Sequence, residues 1–84
     1  MLVSGRVQGV FFRAACAERA RGLGVAGSIA NRPDGSVEAV FEGSDEAVSS
    51  MIDWCRRGPD HARVAGVEVS EEDPGVEEGF RILG

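Results

Sequence analysis

Gly5-Arg6-Val7-Gln8-Gly9-Val10-Phe11-Phe12-Arg13 carries the chain from a short apolar lead-in, Met1 to Val3, into a segment with helical spacing. Two glycines four residues apart permit a tight loop, because glycine tolerates positive φ and lets other atoms approach the main chain. Successive amides turned inward make an anion-binding nest, and the N-terminus of a following helix adds partial positive charge. Arg13 falls in the first turn of that helix, where its guanidinium fork can meet the same anion in bidentate fashion. The loop therefore reads as a phosphate cradle, with Gly5, Arg6, Val7, Gln8, Gly9 and Val10 supplying amides and Arg13 the charge. On pattern alone, an ordinary strand-to-helix turn with a surface arginine fits the same residues.

Working outward, Leu2 to Ser4 ends a first strand, and helical spacing runs from about Val10 to Arg21. Phe12, Cys16, Ala20 and Leu23 form its apolar stripe, and Gly22 and Gly24 stop it. Val25 to Asn31 is a second strand, Arg32-Pro33-Asp34-Gly35 a turn, and Ser36 to Glu42 a third strand that completes a hairpin. In that third strand Val37, Ala39 and Phe41 face one way, and Glu38, Val40 and Glu42 the other. Ser44 is placed to cap a second helix with Asp45 and Glu46 in its first turn. Val48, Met51, Ile52 and Cys55 follow at helical spacing, and Gly58-Pro59 ends the run. A fourth strand spans about Arg63 to Ser70 with Val67 and Val69 alternating. Glu71 to Gly79 is an acidic loop, and Phe80 and Ile82 mark a last short strand. The order β-α-β-β-α-β predicts an α+β, ferredoxin-like sandwich: a mostly antiparallel sheet with two helices on one face.

Eighty-four residues suit one small domain spanning 1–84, and 43% hydrophobic residues suffice for a core. The longest apolar runs fall far short of the ~18–20 residues that span a bilayer, and no signal-peptide pattern is present. Cys16 and Cys55 both lie in helical segments and read as reduced structural thiols in a cytoplasmic protein. Two cysteines and one distant histidine, His61, match no zinc spacing, so no metal or other cofactor is expected. The net charge of −5 argues against nucleic acid and anionic membranes as partners. Its distribution is uneven. Residues 1–32 carry five arginines against Glu18 alone, a net of +4, while residues 33–84 carry four arginines against thirteen carboxylates, a net of −9. The positive field is thus expected around the anion loop. His61 reads as a surface histidine, and Trp54, off the helix stripe, as a side chain packed at its margin.

The nine-residue run resembles the signature of the acylphosphatase family, small enzymes that hydrolyse carboxyl-phosphate anhydrides. A second segment, Gly27-Ser28-Ile29-Ala30-Asn31 followed by Asp34-Gly35-Ser36-Val37-Glu38 and Gly43, resembles the family at matching spacing. The resemblance implies the ferredoxin-like plan, Arg13 as the phosphate-binding arginine, Asn31 as the residue that orients water, and Gly5 to Val10 as the cradle. It also implies that the substrate's own phosphate accepts the water's proton. Ser28 departs from the aromatic residue usual there, and the C-terminus lacks the family's basic and aromatic residues. The chemistry suits these residue types. A carboxylate leaves without protonation, so the tasks are to hold the phosphoryl group, offset charge on its oxygens and place a water in line. A neutral amide both accepts from and donates to such a water. The expected activity is metal-free hydrolysis of a small-molecule acyl phosphate by a monomer. The alternative is a non-catalytic ligand-binding or subunit-contact module of the same fold.

Overall fold

The structure, a computed structural model, describes residues 1–9, 11–60, 62–70 and 79–83. Alternation along the third strand dictates how the layers assemble. Val37 and Ala39 are buried while Glu38 points to solvent, so one face of the sheet must be covered and the other left open. Seven elements follow in order: β1 (Leu2–Arg6), α1 (Phe12–Gly22), β2 (Ala26–Asn31), β3 (Val37–Glu42), α2 (Asp45–Arg57), β4 (Arg63–Glu68) and β5 (Phe80–Leu83). They build one five-stranded sheet in the order β4-β1-β3-β2-β5. Both helices contribute to a single cluster that contains Val3, Val7, Phe12, Cys16, Ile29, Val37, Met51, Cys55 and Phe80. The ferredoxin-like expectation holds, with one addition. The last strand joins the edge as a parallel neighbour of β2, whereas the other three pairings are antiparallel.

Several sequence expectations shift in detail. The first helix begins at Phe12, because Phe11 sits at φ 60°, ψ 20°, a left-handed conformation no right-handed helix can include. Its buried stripe is Phe12, Cys16, Ala17 and Ala20. Leu23 is 41% exposed, since it follows the helix as its C-cap and no longer keeps the helical phase. The second helix behaves as read: the Ala47 N–H donates to Ser44 Oγ at 3.2 Å, and Met51 and Cys55 are buried. Trp54 is half-buried and packs against Phe12, ring centroids 5.3 Å apart and tilted at 54°. In β4 the alternation breaks. Ser4 pairs with Gly66 but Gly5 pairs with Val64, so Ala65 is an extra residue, a β-bulge. Val64 and Val67, three residues apart, therefore both pack against the core, while Val69 lies past the end of β4 and is exposed. His61 and the acidic run from Glu71 to Glu78 lie outside the described residues.

The bulge explains Gly5. That glycine is part of the first strand, at φ 120°, and a Cβ there would lie 2.1 Å from the Arg63 carbonyl oxygen. Only a residue without a side chain lets the two backbones approach so closely.

Candidate active site

Strand direction decides which residues meet. β1 and β2 both run antiparallel to β3, and β5 runs parallel to β2, so the C-terminal ends of β1, β2 and β5 share one edge of the molecule. The loop after β1, the start of α1, Asn31 at the end of β2 and the end of β5 all converge there. Two stretches far apart in the chain thus reach one place through connectivity alone.

Of the proposed cradle residues, Gly5 and Arg6 are the last two residues of β1 and not loop residues; the loop proper begins at Val7. Val7 is fully buried and ties the loop to the core. Gln8 fastens it sideways: its Nε2 donates to the carbonyls of Arg32 at 2.8 Å and Ser36 at 2.9 Å. These are the two ends of the β2–β3 turn, so this one side chain holds the loop against the turn that follows Asn31. The turn itself is closed by Asp34, whose Oδ1 accepts from the Ser36 Oγ–H at 2.6 Å and the Ser36 N–H at 2.9 Å. Those two bonds, the hydroxyl first, hold the Asp34 carboxyl below its ordinary pKa. Gly9 follows at φ 72° with open space where a Cβ would be, which suits an exposed loop apex. Val10 lies outside the described residues.

The helix that follows is built differently from its partner. α2 has the Ser44 cap, but no side chain caps α1. Ala15 N–H donates to the Phe11 carbonyl at 3.0 Å, so the helical ladder begins there and the N–H groups of the preceding turn have no intrahelical acceptor. Arg13, the second residue of α1, is half-buried and makes no ion pair among the described residues. It shares a cleft of about 300 Å³ with Gly9, Phe11, Ala14 and Ile82. A larger cleft, about 760 Å³, includes Phe41, Val48, Ile52 and Val69, but it adjoins the far end of β3 and contains none of the predicted site residues.

Asn31 completes the arrangement. On β2 it follows Ile29 by two residues, which places it on the helix-covered face, opposite the buried Val37. Its Oδ1 is buried and has no hydrogen-bond partner. An unpaired buried acceptor is unfavourable by ~1–3 kcal/mol, so this atom calls for a donor that the described residues do not supply. Asn31 does not line the 300 Å³ cleft itself; it lies beside it, one position beyond Ala30, the partner of Leu83 in β5.

The positive field is narrower than the charge count along the chain implied. Arg19 and Arg21 occupy the last turn of α1, away from the cleft, and Arg21 Nη2 donates to the Phe80 carbonyl at 2.8 Å, pinning β5. Arg32 is paired with Glu38 at 3.0 Å. Arg6 and Arg13 remain, joined by Arg63, which pairs opposite Arg6 across β1 and β4 and was counted in the acidic half. Sequence distance misassigned these charges because the helix carries two of them to its far end. No group of three or more His, Cys, Asp or Glu suited to a metal ion occurs among the described residues, and no helix is long and apolar enough to cross a membrane.

The chain is similar to known proteins over nearly its whole length. The sequence model of the acylphosphatase family matches residues 1–82. An acylphosphatase of Rubrobacter xylanophilus is 59% identical over 81 residues, covering 95% of this chain and 74% of that protein. One from Roseiflexus sp. is 54% identical over 84 residues, covering 99% of this chain and 90% of the relative. Among solved structures, the acylphosphatase of Bacillus subtilis superposes with a TM-score of 0.93 at 32% identity, covering 99% of this chain and 93% of that one.

Proposed function

Because the chain belongs to the acylphosphatase family and is a hydrolase of acyl phosphates, we propose how its residues divide the work. The loop amides, the uncapped N–H groups at the start of α1 and Arg13 hold the phosphoryl group. Asn31 orients the attacking water. Water and acyl phosphate then yield a carboxylate and inorganic phosphate: the P–O bond to the acyl group breaks, its electron pair leaves with the carboxylate, and the water's proton passes to phosphate oxygen.

The observation that carries this reading is a pair of unmet demands at one end of the sheet. Among the described residues Arg13 has no carboxylate partner and the start of α1 has no side-chain cap, so both ask for an anion, while the buried Asn31 Oδ1 asks for a donor. A phosphoryl group with a water behind it answers both. An anion at a helix N-terminus gains ~0.3–1 kcal/mol, and each charge-assisted hydrogen bond to a guanidinium ~1.5–3 kcal/mol, enough together to position it without a metal. Gln8 supports the site by fixing the loop. A cytoplasmic setting agrees with the neighbouring thiols of Cys16 and Cys55, both free and buried.

The test is turnover of acetyl phosphate by the purified chain, followed by phosphorus NMR, after dialysis against excess chelator. Phosphate release that persists in chelator and is competitively inhibited by inorganic phosphate is the expected result. A rate that disappears in chelator and returns with magnesium would overturn the metal-free account. Saturable phosphate binding without turnover would favour a binding module instead.

A further inference from the structure

The cleft beside Arg13 has a second character that phosphate binding does not use. Besides Gly9 and Arg13 it is lined by Phe11, Ala14 and Ile82, all apolar. Phe11 is 81% exposed and Ile82 43% exposed, two of the five large hydrophobic residues left in solvent among the described residues. The Phe11 ring takes no part in the core, yet its backbone is held at φ 60°. For a bulky residue that conformation is strained, and a glycine or asparagine would relieve it. Neither burial nor backbone economy accounts for a phenylalanine at this position.

A substrate does. In an acyl phosphate the acyl carbon is two bonds from phosphorus, so a phosphoryl group on Arg13 projects its acyl substituent into the rest of the same cleft. Among the described residues the only charged side chain lining that space is Arg13, and none of them offers a carboxylate or side-chain amide to a polar acyl chain. We propose that Phe11, backed by Ile82, is the specificity-determining contact for the acyl group, and that the preferred substrates carry an apolar acyl group of aryl or branched-alkyl size. This rests on the acyl phosphate reading above and adds the half of the substrate that the phosphate cradle does not touch. Apolar contacts of one or a few carbons discriminate by ~10–200-fold, which sets the scale expected.

The experiment compares benzoyl phosphate with acetyl phosphate in the native chain, in Phe11→Asn, which tolerates the left-handed backbone, and in Ile82→Thr, which keeps the β-branch suited to a strand. The intrinsic reactivities of the two substrates cancel in a ratio between variants. The benzoyl-to-acetyl ratio of kcat/KM should fall about tenfold in Phe11→Asn and about threefold in Ile82→Thr, chiefly through KM for benzoyl phosphate. Ratios unchanged in both variants, with both substrates still hydrolysed, would overturn the acyl contact and leave the activity standing. Failure of the native chain to hydrolyse either substrate would overturn the activity itself, and this inference with it.

Discussion

Replacing Asn31 with alanine should make the protein more stable and the enzyme worse. The Asn31 Oδ1 is buried without a donor among the described residues, and a buried acceptor left without a donor is unfavourable by ~1–3 kcal/mol. Removing the amide abolishes that penalty and gives up the packing of roughly one methylene equivalent, ~0.8 kcal/mol. The net gain is about 1 kcal/mol, and in a domain of this size each kcal/mol moves Tm by ~4–8 °C. Activity should move the other way. A water that is no longer held in line lowers kcat ~10²-fold or more, while the affinity for inorganic phosphate hardly changes, because the interaction is made chiefly in the transition state. Asn31→Asp keeps the shape but introduces charge where the native group is buried and close to phosphate, so it should lose both stability and rate. Thermal denaturation by circular dichroism, with and without phosphate, and kcat on acetyl phosphate measure both quantities on the same samples. A lower Tm for Asn31→Ala, together with a loss of phosphate affinity equal to that of Arg13→Ala, would refute the reasoning and make Asn31 a structural or binding residue.

Arg13→Ala should reduce kcat/KM by ~10²–10⁴-fold, the worth of two charge-assisted hydrogen bonds, and raise the inhibition constant of phosphate in parallel; Arg13→Lys should recover only part, since a point charge lacks the fork, and near-native kcat and KM for the lysine variant would refute bidentate binding. Cys16 sets an alkaline limit to stability. A hydrogen bond to Cys55, then burial, then electrostatic repulsion from the adjacent sulfur push its thiol pKa far above the ordinary range. With the folded pKa raised, the stabilisation is fully present below the unfolded thiol pKa of ~8.5 and is lost as pH rises beyond it, by up to ~1.4 kcal/mol per pH unit. Urea midpoints measured from pH 7 to 10 should fall above pH ~8.5 in the native chain and less steeply in Cys16→Ala.

Much of this was legible along the chain because the signals are local. The alternation of Val37, Ala39 and Phe41, the Ser44 cap and the glycine-flanked loop each depend on neighbours a few residues away. The exceptions share a different cause. The register slip at Ala65 depends on which strand lies beside β4, and it alone explains why Val64 packs inward and why Gly5 belongs to a strand. Leu23 left its stripe because the helix ended at Gly22. Arg19 and Arg21 left the anion field because a helix has length, and one end of α1 is remote from the other.

The sequence by itself determined the kinds of group available: an arginine after a glycine loop, a neutral amide at a strand end, and enough apolar periodicity for two helices over one sheet. Tertiary structure alone decided their mutual position. Parallel alignment of β1 with β2 set Arg13 and Asn31 on one edge, Gln8 fastened the loop to the turn, and β5, joined at the β2 edge, carried Ile82 into the cleft with Phe11. Local propensity is a property of adjacent residues, whereas a site is assembled by packing between segments distant in sequence. That is why the residue types could be read from the chain and the apolar wall beside Arg13 could not.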